Sequence, residues 1–549
     1  MNKIESNNKT YVALQKGFNL RWPITSEDGA QRIYICSTPE EVQTAANEAL
    51  SEGFRITVRS GGHCYEGFVS NRLDTAEKLA IIDVGEMKGM DHDAAGKVKS
   101  PYDKDGHGYQ FRIATGNQNW DGYIALYRQA GKTIPGGSCY SVGVGGHVSG
   151  GGYGLLSRLH GLTVDWVSGV DILVPASDGK SLQFKHVRAD SADATDRVLF
   201  TACCGAGGNN FGIIINYYYA ELPDAPQQAY WYPLKYDWAH FVKNPESFTK
   251  LLQAYWQWFH DNDANSNNPD PAIGNGGLFT LFKLNHIKSD DNIVLAIQYT
   301  GIDGLVGGER DKPLNDFIQK MNDAAGKPGV VHDAFLLPNI NPLGRRDAGM
   351  TLSQADPLMA MDWIYVTQSI NGSGNNQRGK YKSEYQIQNF SDEVCKALFE
   401  NLTNLNDTAM TQSLVQIDSY GGKINANGIG HTAVPQRNSI LKAQYQTYWT
   451  DPNEDDVQVA WIRRIYNAVH ASTNNRPLPP AYDGCYINYP DVDMKYINDD
   501  PAMGIDYDWV KLYYKDTSLI ANLIALKNKI DPENLFRHEM SIPLSLPRS

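Results

Sequence analysis

The 549-residue chain carries 49 Lys and Arg against 62 Asp and Glu, and its formal charge of −13 argues against a polyanionic partner such as nucleic acid. Hydrophobic residues at 42% and charged residues at 20% give a globular rather than a disordered balance. The length exceeds what one hydrophobic core usually organises, so two intimately packed domains are expected.

In chain order, Thr38-Pro39-Glu40-Glu41 predicts a helix start: a capping hydroxyl, a proline in the first turn, then acids at the positive end of the dipole. Val42, Ala45, Ala46, Ala49 and Leu50 recur at helical spacing, and Gly53 ends the element. Phe54 to Arg59 alternates as a strand and runs into Ser60-Gly61-Gly62-His63, so helix, strand and glycine turn indicate an α/β layer. A second strand over Gln110 to Ala114 precedes a helix from Trp120 to Gln129, stopped by Gly131. The segment from Pro135 to Gly154, nearly half glycine, is read as a long loop. Val170 to Pro175 is strand-like, and a further glycine cluster, Gly205 to Gly212, leads into the strand Ile213 to Tyr217.

The character changes near Pro223 to Gln228. From there to about residue 480, aromatic-rich helices such as Phe248 to His260 alternate with strands such as Ile293 to Thr300, which reads as a second domain. The tail from Ser518 to Ile530 is helical, with Leu519, Leu523, Leu526 and Ile530 on one face and Asp531-Pro532 as its stop. The seven cysteines form no C-x-x-C pair and are odd in number, which speaks against a disulfide framework and against a zinc site, so no metal is expected. No stretch approaches the roughly 18 apolar residues of a membrane span. No apolar run follows the charge at Met1-Asn2-Lys3, so cytoplasmic residence is the default expectation, although a shortened start would look the same.

Glycine-rich loops let backbone N–H groups approach a diphosphate, because no Cβ obstructs them. Three such loops lie before residue 213, yet the dinucleotide pattern G-x-G-x-x-G is not met, since Val148 stands where a third glycine is needed, and no P-loop is present. The residues alone leave two readings open, a nucleotide cofactor or a merely loop-rich scaffold. Likewise His63 could be a turn histidine bonded to backbone and Cys139 a buried free thiol.

Three segments narrow the choice. Arg59-Ser60-Gly61-Gly62-His63-x-Tyr65-Glu66-Gly67, the run Cys139-x-x-Val142-Gly143-Val144-Gly145-Gly146-His147-x-Ser149-Gly150-Gly151-Gly152-Tyr153-Gly154, and Tyr486-Ile487-Asn488-Tyr489-x-Asp491 resemble the berberine-bridge-enzyme-like oxidases. These belong to the vanillyl-alcohol-oxidase superfamily with its PCMH-type FAD fold. The ending Asp531-Pro532-x-Asn534-Leu535-Phe536-Arg537 and Ser541-Ile542-Pro543 also matches, so landmarks run from residue 38 to 543.

The resemblance implies an α+β fold of two domains. Residues 1–225 with 500–549 would hold FAD, and residues 226–499 would form an antiparallel sheet covered by helices, including the Tyr-x-Asn-Tyr segment. It implies FAD bonded at its 8α-methyl to His63 and at C6 to Cys139. Arg59, Ser60, Gly61, Gly62, Val142, Gly143, Gly145, Gly146, His147, Gly150, Gly152, Tyr153, Gly154, Gly205, Gly212, Ile213, Asn488 and Asn534 would cradle the cofactor, with Cys64 meeting it at most through its backbone. Tyr489 would be the base that takes the hydroxyl proton, Tyr486 would assist at the flavin face, and Tyr65, Tyr153 and Gln444 would face the substrate. Lys442-x-Gln444 is similar to the pattern of alcohol-oxidising plant members, and Lys442 is the cation expected to lower the Tyr489 pKa. A small residue at Val142 resembles members that react rapidly with dioxygen.

The implied function is oxidation of a hydroxyl on a sugar or glycosylated natural product, with dioxygen reduced to hydrogen peroxide, by a monomer or homodimer. Oxidative cyclisation or desaturation on the same flavin is the nearest rival, and a flavin-holding binding protein without turnover is the rival from another class.

Overall fold

The computed structural model describes residues 1–331, 360–370 and 376–547. The first helix runs over Pro39–Ser51, where the Thr38 side chain accepts the Glu41 N–H and Val42, Ala45, Ala46 and Ala49 are buried. It packs on a four-stranded sheet ordered Asn2–Ile4, Arg32–Ile35, Leu79–Asp83, Arg55–Arg59. The last three strands are parallel, and the first pairs antiparallel at the edge. A second sheet is antiparallel throughout, in the order Met90–His92, Phe111–Ala114, Ile213–Tyr219, Gly169–Pro175, Leu182–Val187. The helix Asn119–Ala130 beside it stops at Gly131, whose φ of 64° is the left-handed conformation that glycine adopts without a Cβ clash.

Within the glycine run the expected continuous loop is interrupted by a short helix, Val144–Ser149. Val144 and Val148, one helical turn apart, are both fully buried, and that burial stabilises a turn which glycine content alone disfavours.

The third sheet has eight strands, drawn from Gln228–Asp237, Leu278–Asn285, Asn292–Tyr299, Val330–Val331, Met361–Asp362, Arg378–Gln386, Ser413–Ser419 and Leu441–Trp449. All its pairings are antiparallel. Helices cover it, among them Pro245–Asp261, which buries Phe248, Leu251, Leu252, Tyr255, Trp256, Trp258 and Phe259. One buried apolar cluster runs from Phe111 and Tyr217 in the five-stranded sheet through Phe282 and Tyr445 in the eight-stranded sheet to Leu523 in the helix Thr517–Ile530. The two layers therefore share a continuous core, and the site lies between them. Among the described residues no helix is long and apolar enough to cross a membrane.

Candidate active site

Two loops meet at the end of the strand Arg55–Arg59. Arg59 is anchored by its ion pair with Asp83 at 2.7 Å, and the Ser60 hydroxyl donates to the Thr115 carbonyl at 2.6 Å. A Cβ on Gly61 would stand 2.2 Å from the Gly143 nitrogen and 2.5 Å from the Ser141 carbonyl oxygen, so glycine is what lets the loops interlock. Across this junction His63 Nε2 and Ser141 Oγ are 2.8 Å apart, and the His63 ring stacks on Phe18 with centroids 4.1 Å apart. Burial holds the His63 imidazole down at about 4, so it is neutral at ordinary pH. His147 is likewise held at about 4, by burial and then by Lys442, and its Nε2 accepts the Gly137 N–H at 3.0 Å. Burial raises the Cys139 thiol to about 11, with Lys283 opposing.

These loops wall a cavity of about 310 Å³. Arg59, Ser60, Gly61, Gly62, His63, Cys64, Tyr65, Cys139, Val142, Gly143, Gly145, Gly146, His147, Tyr153, Gly154, Gly212, Tyr486, Asn488 and Tyr489 all line it. The expected cradle is therefore largely assembled in one place.

Several expected members do not line this cavity, and each has a packing role. Gly150 makes room for Asn488, since a Cβ would lie 2.1 Å from its Oδ1; Asn488 donates to the His147 carbonyl at 2.8 Å. Gly152 abuts Thr163, and Gly205 abuts Val434. Ile213 is buried in a core with Leu173 and Phe536, and Asn534 holds a left-handed turn near the C-terminus, outside the cavity wall.

Asn209, which the sequence reading did not single out, is the clearest sign that the cavity takes a polar ligand. It lines the cavity, its backbone is left-handed at φ 60°, and both atoms of its buried amide lack a partner. An orphaned buried amide is unfavourable, and it is accounted for when a polar ligand occupies the cavity. Three glycine stretches, a neutral imidazole and a thiol lining one cavity fit a dinucleotide such as FAD.

The opposite wall comes from the eight-stranded sheet and the Tyr-x-Asn-Tyr segment. Lys442 and Gln444 alternate on one face of the strand Leu441–Trp449, yet neither reaches the cavity wall. Gln444, expected to face the substrate, sits behind Tyr65 and donates to its hydroxyl at 2.9 Å. Lys442 is fully buried behind three rings, with Nζ 3.8 Å from the Tyr153 centroid, 4.5 Å from Tyr489 and 4.8 Å from Tyr486. Its Nζ donates to the Tyr489 hydroxyl at 3.4 Å and lies 3.4 Å from Asp418 Oδ2. Both side chains thus contact tyrosines that line the cavity.

The electrostatics correct one expectation. Burial, reinforced by Tyr65 and Asp418, holds the Tyr489 phenol well above its ordinary range. Lys442 does not pull it down to neutrality; burial instead lowers Lys442 itself to about 8, against the raising influence of Asp418.

Other residues missed in the sequence complete the site. Tyr381 stacks on Tyr65 at 3.6 Å, and Gln416 and Asp418 line the cavity. A buried ion cluster ties both walls to the sheet. Lys380 Nζ reaches Glu66 and Asp491 at 2.6 Å each, Lys382 reaches Asp491 at 2.6 Å and Asp493 at 3.1 Å, and Arg463 caps Asp493 at 2.6 Å. Glu66 follows the His63-Cys64-Tyr65 loop and Asp491 follows Tyr489, so Lys380 fixes the spacing of the two. Lys380→Met leaves buried carboxylates undercompensated and is expected to lower stability by about 3–5 kcal/mol. Chemical denaturation checks this, and a loss below about 1 kcal/mol, the scale of exposed pairs, would show the cluster to be dispensable.

The family pattern described as "Berberine and berberine like" matches residues 485–543, and an "FAD binding domain" pattern matches residues 30–184. Hexose oxidase of Chondrus crispus is 34% identical, over 97% of this chain and 93% of the relative. Aclacinomycin-N/aclacinomycin-A oxidase of Streptomyces galilaeus is 31% identical, over 98% of this chain and 89% of the relative. Among solved structures, a glycopeptide hexose oxidase complexed with teicoplanin superposes with a TM-score of 0.79 at 28% identity, covering 99% of this chain and 98% of that one.

Proposed function

The chain belongs to the berberine-bridge-enzyme-like FAD-linked oxidases, and from that premise we propose that it oxidises a hydroxyl-bearing carbon of a sugar or glycosylated natural product, with His63 and Cys139 holding FAD covalently and dioxygen as the final acceptor. When bound, FAD supplies the hydride acceptor. The observation that carries the reading is the Tyr489–Lys442–Asp418 array, whose tyrosine lines the same cavity as His63 and Cys139, on the opposite wall.

Removing hydride from a carbinol carbon requires that its hydroxyl proton leave at the same time, which calls for a base within hydrogen-bond reach. Tyr489 takes that proton. Tyr486, whose hydroxyl accepts from Asn488 at 3.1 Å, and Tyr65, fixed by Gln444, orient the substrate. Tyr153 is pinned through its hydroxyl to the Ser419 carbonyl at 2.5 Å and closes that wall over Lys442.

A buried phenol is a poor base alone, so the proton economy belongs to Tyr489 and Lys442 together. When both are protonated the pair cannot accept a proton. Once one proton is lost it can, whichever of the two atoms released it. Lys442 sits at about 8 with Asp418, Tyr153, Tyr486 and Tyr489 facing it, so kcat/KM is expected to rise with pH through about 8. In Lys442→Met, Tyr489 must ionise by itself, and the acidic limb moves up by about two units or more, a fall of about a hundredfold at pH 8. A limb that stays near its original position in this variant would remove Lys442 from the mechanism.

Peroxide release on a panel of hexoses, oligosaccharides and glycosylated aromatic compounds tests the assignment as a whole. Stoichiometric peroxide and carbonyl product from at least one of them is expected. Cyclised or desaturated product without carbonyl formation would overturn the hydroxyl-oxidation reading.

A further inference from the structure

The contact between His63 and Ser141 joins the two loops that carry the proposed attachment points. The hydroxyl lies 2.8 Å from Nε2, in a junction where Gly61 is pressed against the Ser141 carbonyl and Gly143, and where Phe18 covers the imidazole face. We propose that Ser141 is a positioning residue for cofactor attachment, holding His63 with its proton on Nε2 so that Nδ1 is the unprotonated nitrogen that bonds to the flavin methyl carbon. The proposal rests on the reading that His63 carries FAD.

A neutral imidazole has one N–H and one bare nitrogen, and only the bare one can form a new bond. The desolvation that keeps His63 at about 4 ensures the neutral form but does not choose between the tautomers. A serine hydroxyl can accept or donate, so it can stabilise the Nε2–H tautomer before attachment and reverse its role afterwards. In the attachment step an Nδ1–C bond forms while one methyl C–H and the imidazole N–H break. The two hydrogens and the electron pair pass to the ring system, and dioxygen then removes them as hydrogen peroxide. After the proton leaves Nε2, that nitrogen is an acceptor, and the Ser141 hydroxyl turns to donate to it.

The test uses Ser141→Ala in the full chain with Cys139 intact, so the flavin remains tethered at the second point. Proteolytic peptides containing His63 and Cys139 are weighed for the flavin adduct at intervals during aerobic incubation with added FAD. Attachment at His63 is expected to slow by roughly tenfold or more, the scale on which an orienting partner of a histidine acts. Cys139 should stay modified, and Ser141→Thr, which keeps the hydroxyl, should restore the His63 adduct. Equal rates at His63 in Ser141→Ala and the parent protein would overturn the proposal. So would simultaneous loss of the Cys139 adduct, which indicates a disturbed loop rather than a lost proton partner. An unmodified His63 in the parent protein would instead overturn two-point attachment, and this proposal with it.

Discussion

Tyr489→Phe is expected to lower the rate of substrate oxidation by about two to four orders of magnitude, the range for loss of a positioned acid–base group. The variant keeps the ring that packs against Tyr65 and Tyr486, with centroids 5.4 Å and 4.9 Å away. It removes only the oxygen that receives the Lys442 hydrogen bond at 3.4 Å. Flavin content and thermal stability should therefore match the parent protein, while kcat and kcat/KM fall together, the signature of a contact made in the transition state. Raising the pH should not rescue it, because the proton-accepting oxygen is gone. A variant within about tenfold of the parent would show that another group removes the hydroxyl proton, and Tyr486, also on the cavity wall, would become the candidate.

The second large effect concerns cofactor retention. Acid precipitation denatures the protein, so only covalently attached flavin stays with the pellet. His63→Ala and Cys139→Ala should each leave the yellow colour in the pellet, and the double substitution should move it to the supernatant. The expectation follows from geometry: both residues stand on the wall of one cavity, joined by loops that interlock at Gly61 and Gly143. A burial-raised thiol is a poor nucleophile in isolation whereas a neutral imidazole keeps a bare nitrogen, so the Cys139 bond depends the more on what surrounds it. Complete release from one single variant would reduce the attachment to one point.

Much of this was legible in the sequence, because the constraint is local there. His63 and Cys139 each stand in glycine-rich stretches, and a backbone that must pass within a few ångströms of another backbone announces itself by the absence of side chains. The Lys442-x-Gln444 pattern was also visible, and the strand that carries it puts both residues on one face.

What was not legible depends on pairing across the chain. The partners of Lys380 lie 314 and 111 residues away, at Glu66 and Asp491. The only local hint was charge alternating along the buried strand Arg378–Gln386, where Lys380, Lys382 and Glu384 share a face. Asp418 gave a similar hint, sharing a face with Gln416 in Ser413–Ser419 while Val415 and Ile417 face the other way. Other glycines have a packing reason that only the fold reveals: a Cβ on Gly150, Gly152 or Gly205 would meet Asn488, Thr163 or Val434. The direction in which Tyr489 and Lys442 are shifted needed burial as well as proximity, since desolvation moves both groups toward their neutral forms.

The measurement that bears most directly on the central claim is anaerobic mixing of the enzyme with a sugar oxidised in the peroxide panel, alongside the same sugar carrying deuterium at the carbinol carbon. The account predicts bleaching of the bound flavin in a single fast phase, slowed by deuterium and abolished on that timescale in Tyr489→Phe. Bleaching that is indifferent both to deuterium and to Tyr489 would contradict it.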